Sequence, residues 1–154
     1  MIEVITQKTS LYEQDFLLWS EDTAAKLRAR DFENLDLENL IEEVESLGRS
    51  DRKELLNRLV VIFEHLLKRL YVQLPEDYNG WESTVRTQRT DLRFLIKSSP
   101  RLKSIWQEYV EEAWEVALKN IRKEYKNDSF PDRFPFPTDV ESILDRDFWE
   151  ESDH

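Results

Sequence analysis

Arg89 stands where packing alone calls for a hydrocarbon. In the stretch 81–98 the apolar residues Trp81, Val85, Leu92 and Ile96 recur at helical spacing. On a wheel of about 100° per residue, Arg89 falls roughly 40° from Val85 and Gln88 roughly 60° to its other side. Both polar side chains therefore lie inside the apolar stripe, a position that a pattern written only for packing leaves to hydrocarbon. A buried guanidinium needs a carboxylate and filled hydrogen bonds, or it costs several kcal/mol. Glu43 is the first-choice partner, because it sits between Leu40 and Leu47 at the shoulder of another apolar stripe. His65 shares a flank with Arg58, Ile62 and Arg69. A Glu43/His65/Arg89 cluster, with Trp81 and Gln88 adjacent, would satisfy these groups. Such a network either fixes helix register or lines a pocket for a small anionic ligand.

Other chemistry has less to stand on. A di-iron bundle needs Glu-x-x-His pairs on two helices. The one internal histidine, His65, is preceded at three residues by Ile62. Glu42-x-x-Glu45 has the form of a metal-binding pair of all-α nucleotide pyrophosphohydrolases, but the second pair those enzymes need is met only by Glu33-x-x-Asp36, just upstream. No serine is marked as a triad nucleophile. There is no GxGxxG, no GxxxxGK[ST] and no cysteine, which leaves dinucleotide and phosphate loops, zinc ribbons and thiol catalysis without residues. No catalytic residue, resident metal or cofactor is assigned. The rival from another class is a metal-dependent hydrolase that uses Glu43 and His65.

The elements that must position these residues are helical. Tyr12, Phe16, Trp19, Ala24 and Leu27 predict a helix over about 11–29. Asp36 predicts an N-cap for a stripe of Leu37, Leu40, Ile41, Val44 and Leu47. Gly48 is expected to end that helix and Ser50 to cap the next, whose core face runs from Leu55 to Leu70. PEDYNG, residues 75–80, is read as a break before a helix over 81–98. Ser99-Pro100 opens a fifth helix that ends near Tyr125. FPDRFPFP, residues 130–137, holds three Phe and three Pro, and predicts an extended strap with at least two of its rings buried. Thr138-x-x-Glu141 reads as a capping box for a short last helix. Ile143, Leu144, Phe148 and Trp149 anchor that end. The fold expected is an all-α antiparallel bundle of about five main helices, with the Pro/Phe strap and a short last helix. A length of 154 residues fits one domain spanning 1–154, with about 1–10 and 150–154 frayed.

Charge is segmented. Residues 1–48 hold 12 acids and 4 bases, 49–103 hold 7 and 12, and 104–154 hold 14 and 6, giving −11 in all. A basic middle between acidic ends is explained by attraction within the fold. The alternative is nucleic-acid binding through 49–103, with Tyr71 and Trp81 as stacking aromatics. Net acidity opposes it, since phosphate backbones are repelled. The absence of a long apolar run, of a basic-then-apolar start and of cysteine predicts a cytoplasmic protein that does not enter membranes.

Several stretches together resemble family 29 of the bacterial domains of unknown function. They are Leu35–Leu59, Glu64–Lys68, Trp81-x-x-Thr84-Val85-Arg86-x-Gln88-Arg89 and Ile143-Leu144-Asp145-x-Asp147-Phe148-Trp149, with Tyr12-x-x-Asp15-Phe16-x-x-Trp19 at the start. Thr87 departs from the pattern, where an acid is expected. The resemblance implies a small all-helical domain and supplies no activity. The function expected is a helical binding or interaction module whose partner is a protein or a small anionic ligand.

Overall fold

The computed structural model describes residues 10–152. Among them seven α-helices and two 3-10 turns follow one another without a strand, so the fold is all-α. The chain clusters into two compact units that divide between Arg49 and Ser50. The expected fraying falls largely outside the described residues; Ser10 is an N-cap and Glu150 is helical.

The first unit begins with α1 (Leu11–Gln14) and α2 (Phe16–Arg28). The single helix expected over 11–29 is split at Asp15. Its extended backbone closes α1, and its carboxylate accepts from Leu18 N–H at 3.0 Å, capping α2. An Asp that satisfies an orphan donor in this way favours a new helix start over continuation. The end of α2 is a Schellman turn: Asp31 N–H donates to Lys26 O and Arg30 N–H to Leu27 O. The left-handed residue this turn requires is Arg30, at φ 59°. A 3-10 turn (Phe32–Asn34) leads to α3 (Leu37–Tyr71). Asp36 opens α3 as expected, accepting from the Asn39 backbone and side-chain N–H groups.

Helix α3 does not stop at Gly48. It runs for 35 residues, across the boundary between the units. Glycine lowers helix stability by about 0.5–1 kcal/mol but does not forbid a helix. The leucine-rich stretch beyond it carries the element through, so Ser50 caps nothing.

In the second unit the C-terminal part of α3 packs with α4 (Pro75–Ser98) and α5 (Trp106–Glu124). PEDYNG does not precede α4 but forms its first turns. Pro75 occupies the first helical position, where its missing N–H leaves no bond unmade. Pro100 opens a 3-10 turn (Pro100–Ile105), and α5 follows at Trp106. The core joins Leu55, Leu59, Ile62, Phe63 and Leu66 of α3 to Val85, Leu92 and Ile96 of α4 and to Val110, Ala113 and Ala117 of α5. A smaller cluster holds Leu67, Val72, Leu118, Ile121 and Phe130, with Trp81 partly buried on it. Arg69 Nε donates to Glu82 at 2.6 Å and ties α3 to α4.

The strap is held by two indoles of α5: Trp106 donates to Thr138 O at 2.8 Å and Trp114 to Asp132 O at 2.9 Å. Only one of its three rings is buried, Phe130 at 8% exposure. Phe134 and Phe136 are half-buried, with ring centroids 5.2 and 5.0 Å from that of Phe148. They close an edge of the core, which leaves their outer faces wet. The capping box is displaced by one residue: Asp139, not Thr138, accepts from Ser142 N–H to open α6 (Val140–Asp145). The last helix is α7 (Phe148–Ser152). Ile143, Leu144, Phe148 and Trp149 are all buried, as their spacing predicts.

Candidate functional site

Arg89 is buried at 3% exposure, as its position in the apolar stripe of α4 requires. Its carboxylate partner is not Glu43. Nη1 donates to Asp147 Oδ1 at 3.0 Å, Nε to Ile143 O at 2.7 Å and Nη2 to Arg146 O. One turn further along α4, Arg93 reaches Leu144 O and Asp145. The two guanidiniums thus fill carbonyls left without intrahelical donors where α6 ends. Burial pulls the Arg89 pKa down, and Asp147 pushes it back up. The W-x-x-T-V-R-x-Q-R stretch and the I-L-D-x-D-F-W stretch are two sides of one contact, and Arg89 is the joint.

The other predicted residues take separate partners. Glu43, in the first unit, accepts from the Tyr12 hydroxyl, and this bond raises the Tyr12 pKa to about 12. His65 Nδ1 lies 2.8 Å from Val61 O, which requires the Nδ1–H tautomer; burial pushes its pKa below the ordinary value. Gln88 Oε1 accepts from Arg58 Nη1 at 3.0 Å, and Arg58 also pairs with Glu54 and Asp91. Trp81 packs beside Tyr78, with ring centroids 6.0 Å apart. Each of these residues thus has a partner close by in its own unit. Wheels place a residue on a face of its own helix; they say nothing of which helix comes opposite.

Several open clefts remain, of which two have aromatic walls. A cleft of ≈ 610 Å³ lies between α5 and the strap, walled by Phe63, Trp114 and Phe134. The Asp132 groups in its wall are already engaged, the carbonyl by Trp114 and the carboxylate by Arg122. Gln107, Glu111, Glu115 and Arg133 also line it.

The second feature was not foreseen. In the first unit a groove of ≈ 330 Å³ runs between α2 and the start of α3. Trp19 and Thr23 are buried in it. Trp19 is fixed there by its indole N–H, which donates to Asp36 at 3.2 Å, and by edge contact with the Tyr12 ring at 4.9 Å. Phe16 and Leu27 of α2 and Val44 and Leu47 of α3 form the edges, and all four are exposed. Val44 is 60% and Leu47 71% exposed. The stripe that predicts a core-facing helix in the sequence is a solvent-facing surface here. Leu37 and Ile41 continue it along α3 and are also exposed. The signal for this surface was present, since amphipathic spacing shows that a face is apolar. What covers that face is not a local property.

Among the described residues, no three His, Asp or Glu side chains converge in a way that could hold a metal ion. No helix is long and apolar enough to cross a membrane. The family model described as "Domain of unknown function DUF29" matches residues 11–149. No curated protein and no solved structure matches the chain.

Proposed function

The chain belongs to the DUF29 family, which carries no assigned activity, and from its geometry we propose that it is a helical interaction module that receives an amphipathic helix of another protein in the groove of its first unit. The observation that carries this reading is the exposed apolar surface of Phe16, Leu27, Val44 and Leu47 around a preformed floor of Trp19 and Thr23. Monomeric proteins rarely leave a contiguous apolar patch of this kind without a use for it. Two helices side by side offer the groove into which a third lays its apolar face. A cytoplasmic bacterial setting belongs to the same reading, supported by the lack of cysteine and by the family resemblance.

The other readings find less support. An anion pocket at Arg89 finds less support, since that guanidinium is buried and three of its five donors go to Ile143, Arg146 and Asp147. Part of the basic middle is paired within its own unit: Arg58, Arg69, Arg89 and Arg93 each meet an acid there. A metal-dependent hydrolase based on Glu43 and His65 is not supported by any convergent set of three His, Asp or Glu side chains among the described residues.

The test is binding of a labelled, helix-forming peptide of about 14 residues with leucines at i, i+3, i+4 and i+7, followed by fluorescence anisotropy. The wild-type protein binds it. The V44N/L47N double variant, whose substitutions lie at exposed positions, keeps its helical circular dichroism and loses binding. Equal binding by both proteins, or binding by neither, overturns the proposal.

A further inference from the structure

The cleft between α5 and the strap lies in the second unit, and its aromatic wall is set in advance of any ligand. Trp114 is fixed by the bond from its indole N–H to Asp132 O. Phe134 is held edge-on against Phe63 and Phe148, with ring centroids at 5.4 and 5.2 Å. Trp114 and Phe134 are 5.6 Å apart, half-buried, and both line the cleft. Its volume of ≈ 610 Å³ falls in the range of small-molecule sites, roughly 300–1,000 Å³.

The sign of the cleft comes from α5. On a wheel of about 100° per residue, Glu111 falls roughly 60° from Trp114 and Glu115 roughly 100°, and both are lining residues. Among the described residues no hydrogen bond or ion pair engages either carboxylate. Like charges four residues apart disfavour a helix, and a bound cation would relieve that repulsion. Asp132 is already matched by Arg122. Arg133 is the one base among the lining residues, against the acids Glu111, Glu115 and Asp132. The next groove along α5 is basic, with Lys119, Arg122 and Lys123. Glu111 precedes Lys119 by eight residues, about 12 Å of helix rise, so it is the carboxylate farther from those bases.

We infer that this cleft is a site separate from the groove of the first unit, and that it binds a small organic cation. The ligand is an alkylated ammonium on an apolar body, with the rings of Trp114 and Phe134 as its wall and Glu111 as its main counter-ion. An aromatic face attracts a cation, and the two carboxylates complete the pairing. A hard metal ion needs about six oxygen ligands or more, whereas no three acids converge among the described residues. An anion would meet an excess of carboxylates. A neutral apolar molecule would gain the wall and leave both acids unmatched.

The experiment titrates benzyltrimethylammonium, benzyl alcohol and phenylacetate into the full chain by calorimetry, and follows the Trp114 indole N–H resonance. The cation is expected to bind about tenfold more tightly than the alcohol and to shift that resonance, with phenylacetate the weakest. The variant E111Q/E115Q, altered at exposed positions, is expected to remove most of that preference and keep the affinity for the alcohol. E108Q/E112Q takes the same charge from α5 outside the cleft and is expected to bind the cation as wild type does. Equal binding of cation and alcohol overturns the inference, as does a cation that leaves the Trp114 resonance unmoved. A loss in E108Q/E112Q as large as in E111Q/E115Q shows attraction to the net charge of the chain rather than a site, and overturns it too. V44N/L47N is expected to bind the cation unchanged, so failure of this site and failure of the groove are read separately.

Discussion

Arg89 shows how a single side chain is committed by its surroundings. Its five N–H donors form a planar fork, and three acceptors on the α6–α7 turn meet that fork. Arg89→Met keeps most of the stem but leaves two carbonyls and a carboxylate without donors. It is expected to destabilise by about 3–5 kcal/mol in urea unfolding. Arg89→Lys recovers little, because an ammonium cannot reach three acceptors set around a plane. Asp147→Asn costs less, since that side chain is 43% exposed and its charge is partly screened. In a double-mutant cycle Arg89 couples to Asp147 and is additive with Glu43, whose partner is Tyr12. His65 gives a pH signature. Burial disfavours its imidazolium, so its folded pKa lies below the ordinary 6.5. The stability linked to this shift is present above 6.5 and is lost as pH falls through the folded value. His65→Gln is expected to flatten unfolding free energy across that window. It leaves the loss at lower pH, where Asp36 and Asp139, both held below 3.8 by hydrogen bonds from Asn39 and Ser142, become protonated.

Helix boundaries in this chain follow from how orphan backbone groups are filled. Asp15 stops one helix and starts the next because its carboxylate meets a free N–H of α2. The Schellman turn after α2 places Arg30 in a left-handed conformation that a side chain with Cβ adopts at a cost of about 1–2 kcal/mol. Arg30→Gly is therefore expected to stabilise the first unit, by about 0.5–1 kcal/mol after the greater entropy of the unfolded glycine is deducted. Gly80 is the opposite case. It lies inside α4, and a Cβ built there meets nothing within 4 Å. Gly80→Ala is expected to stabilise by about 1 kcal/mol, from helix propensity alone. Thermal unfolding of the two variants checks both signs; a destabilising Gly80→Ala would mean that α4 is not helical at that point.

At the scale of the molecule the two units differ in how they hold their apolar residues. In the second, Leu55, Leu59, Ile62, Phe63 and Leu66 are fully buried. In the first, Trp19 is the one large apolar side chain that is buried among the described residues, while Phe16, Leu17, Leu37 and Leu47 face water. Amide exchange follows buried contact. Amides of 16–28 are expected to exchange well before those of 55–67, although α3 is one unbroken helix. A bound peptide in the groove should slow exchange in 16–28 first, since ligand binding stabilises the state that holds it. Uniform protection across both units would contradict this division.

The helical class, the core face of Leu55–Leu67 and the burial of Arg89 could all be read from periodicity, because the 3.6-residue repeat is a local property of the chain. The caps at Asp36 and Pro75 are local too, although Pro75 read as a break when taken with its turn-like neighbours. The family was legible from stretches that α4 and the C-terminal helices bring together. Three things were not legible. Arg89 and Asp147 are 58 residues apart, and nothing within a helix turn indicates which distant carboxylate arrives. Gly48 offers a stop that is taken only where continuing is worse, and the packing of α3 beyond it decides that. The stripe Leu37–Leu47 has the spacing of a core face in either case. Whether it is buried or left open depends on which elements come to lie against it. The sequence of a helix sets which of its faces is apolar, and the tertiary structure sets what that face meets, because burial is a relation between segments and periodicity is a property of one.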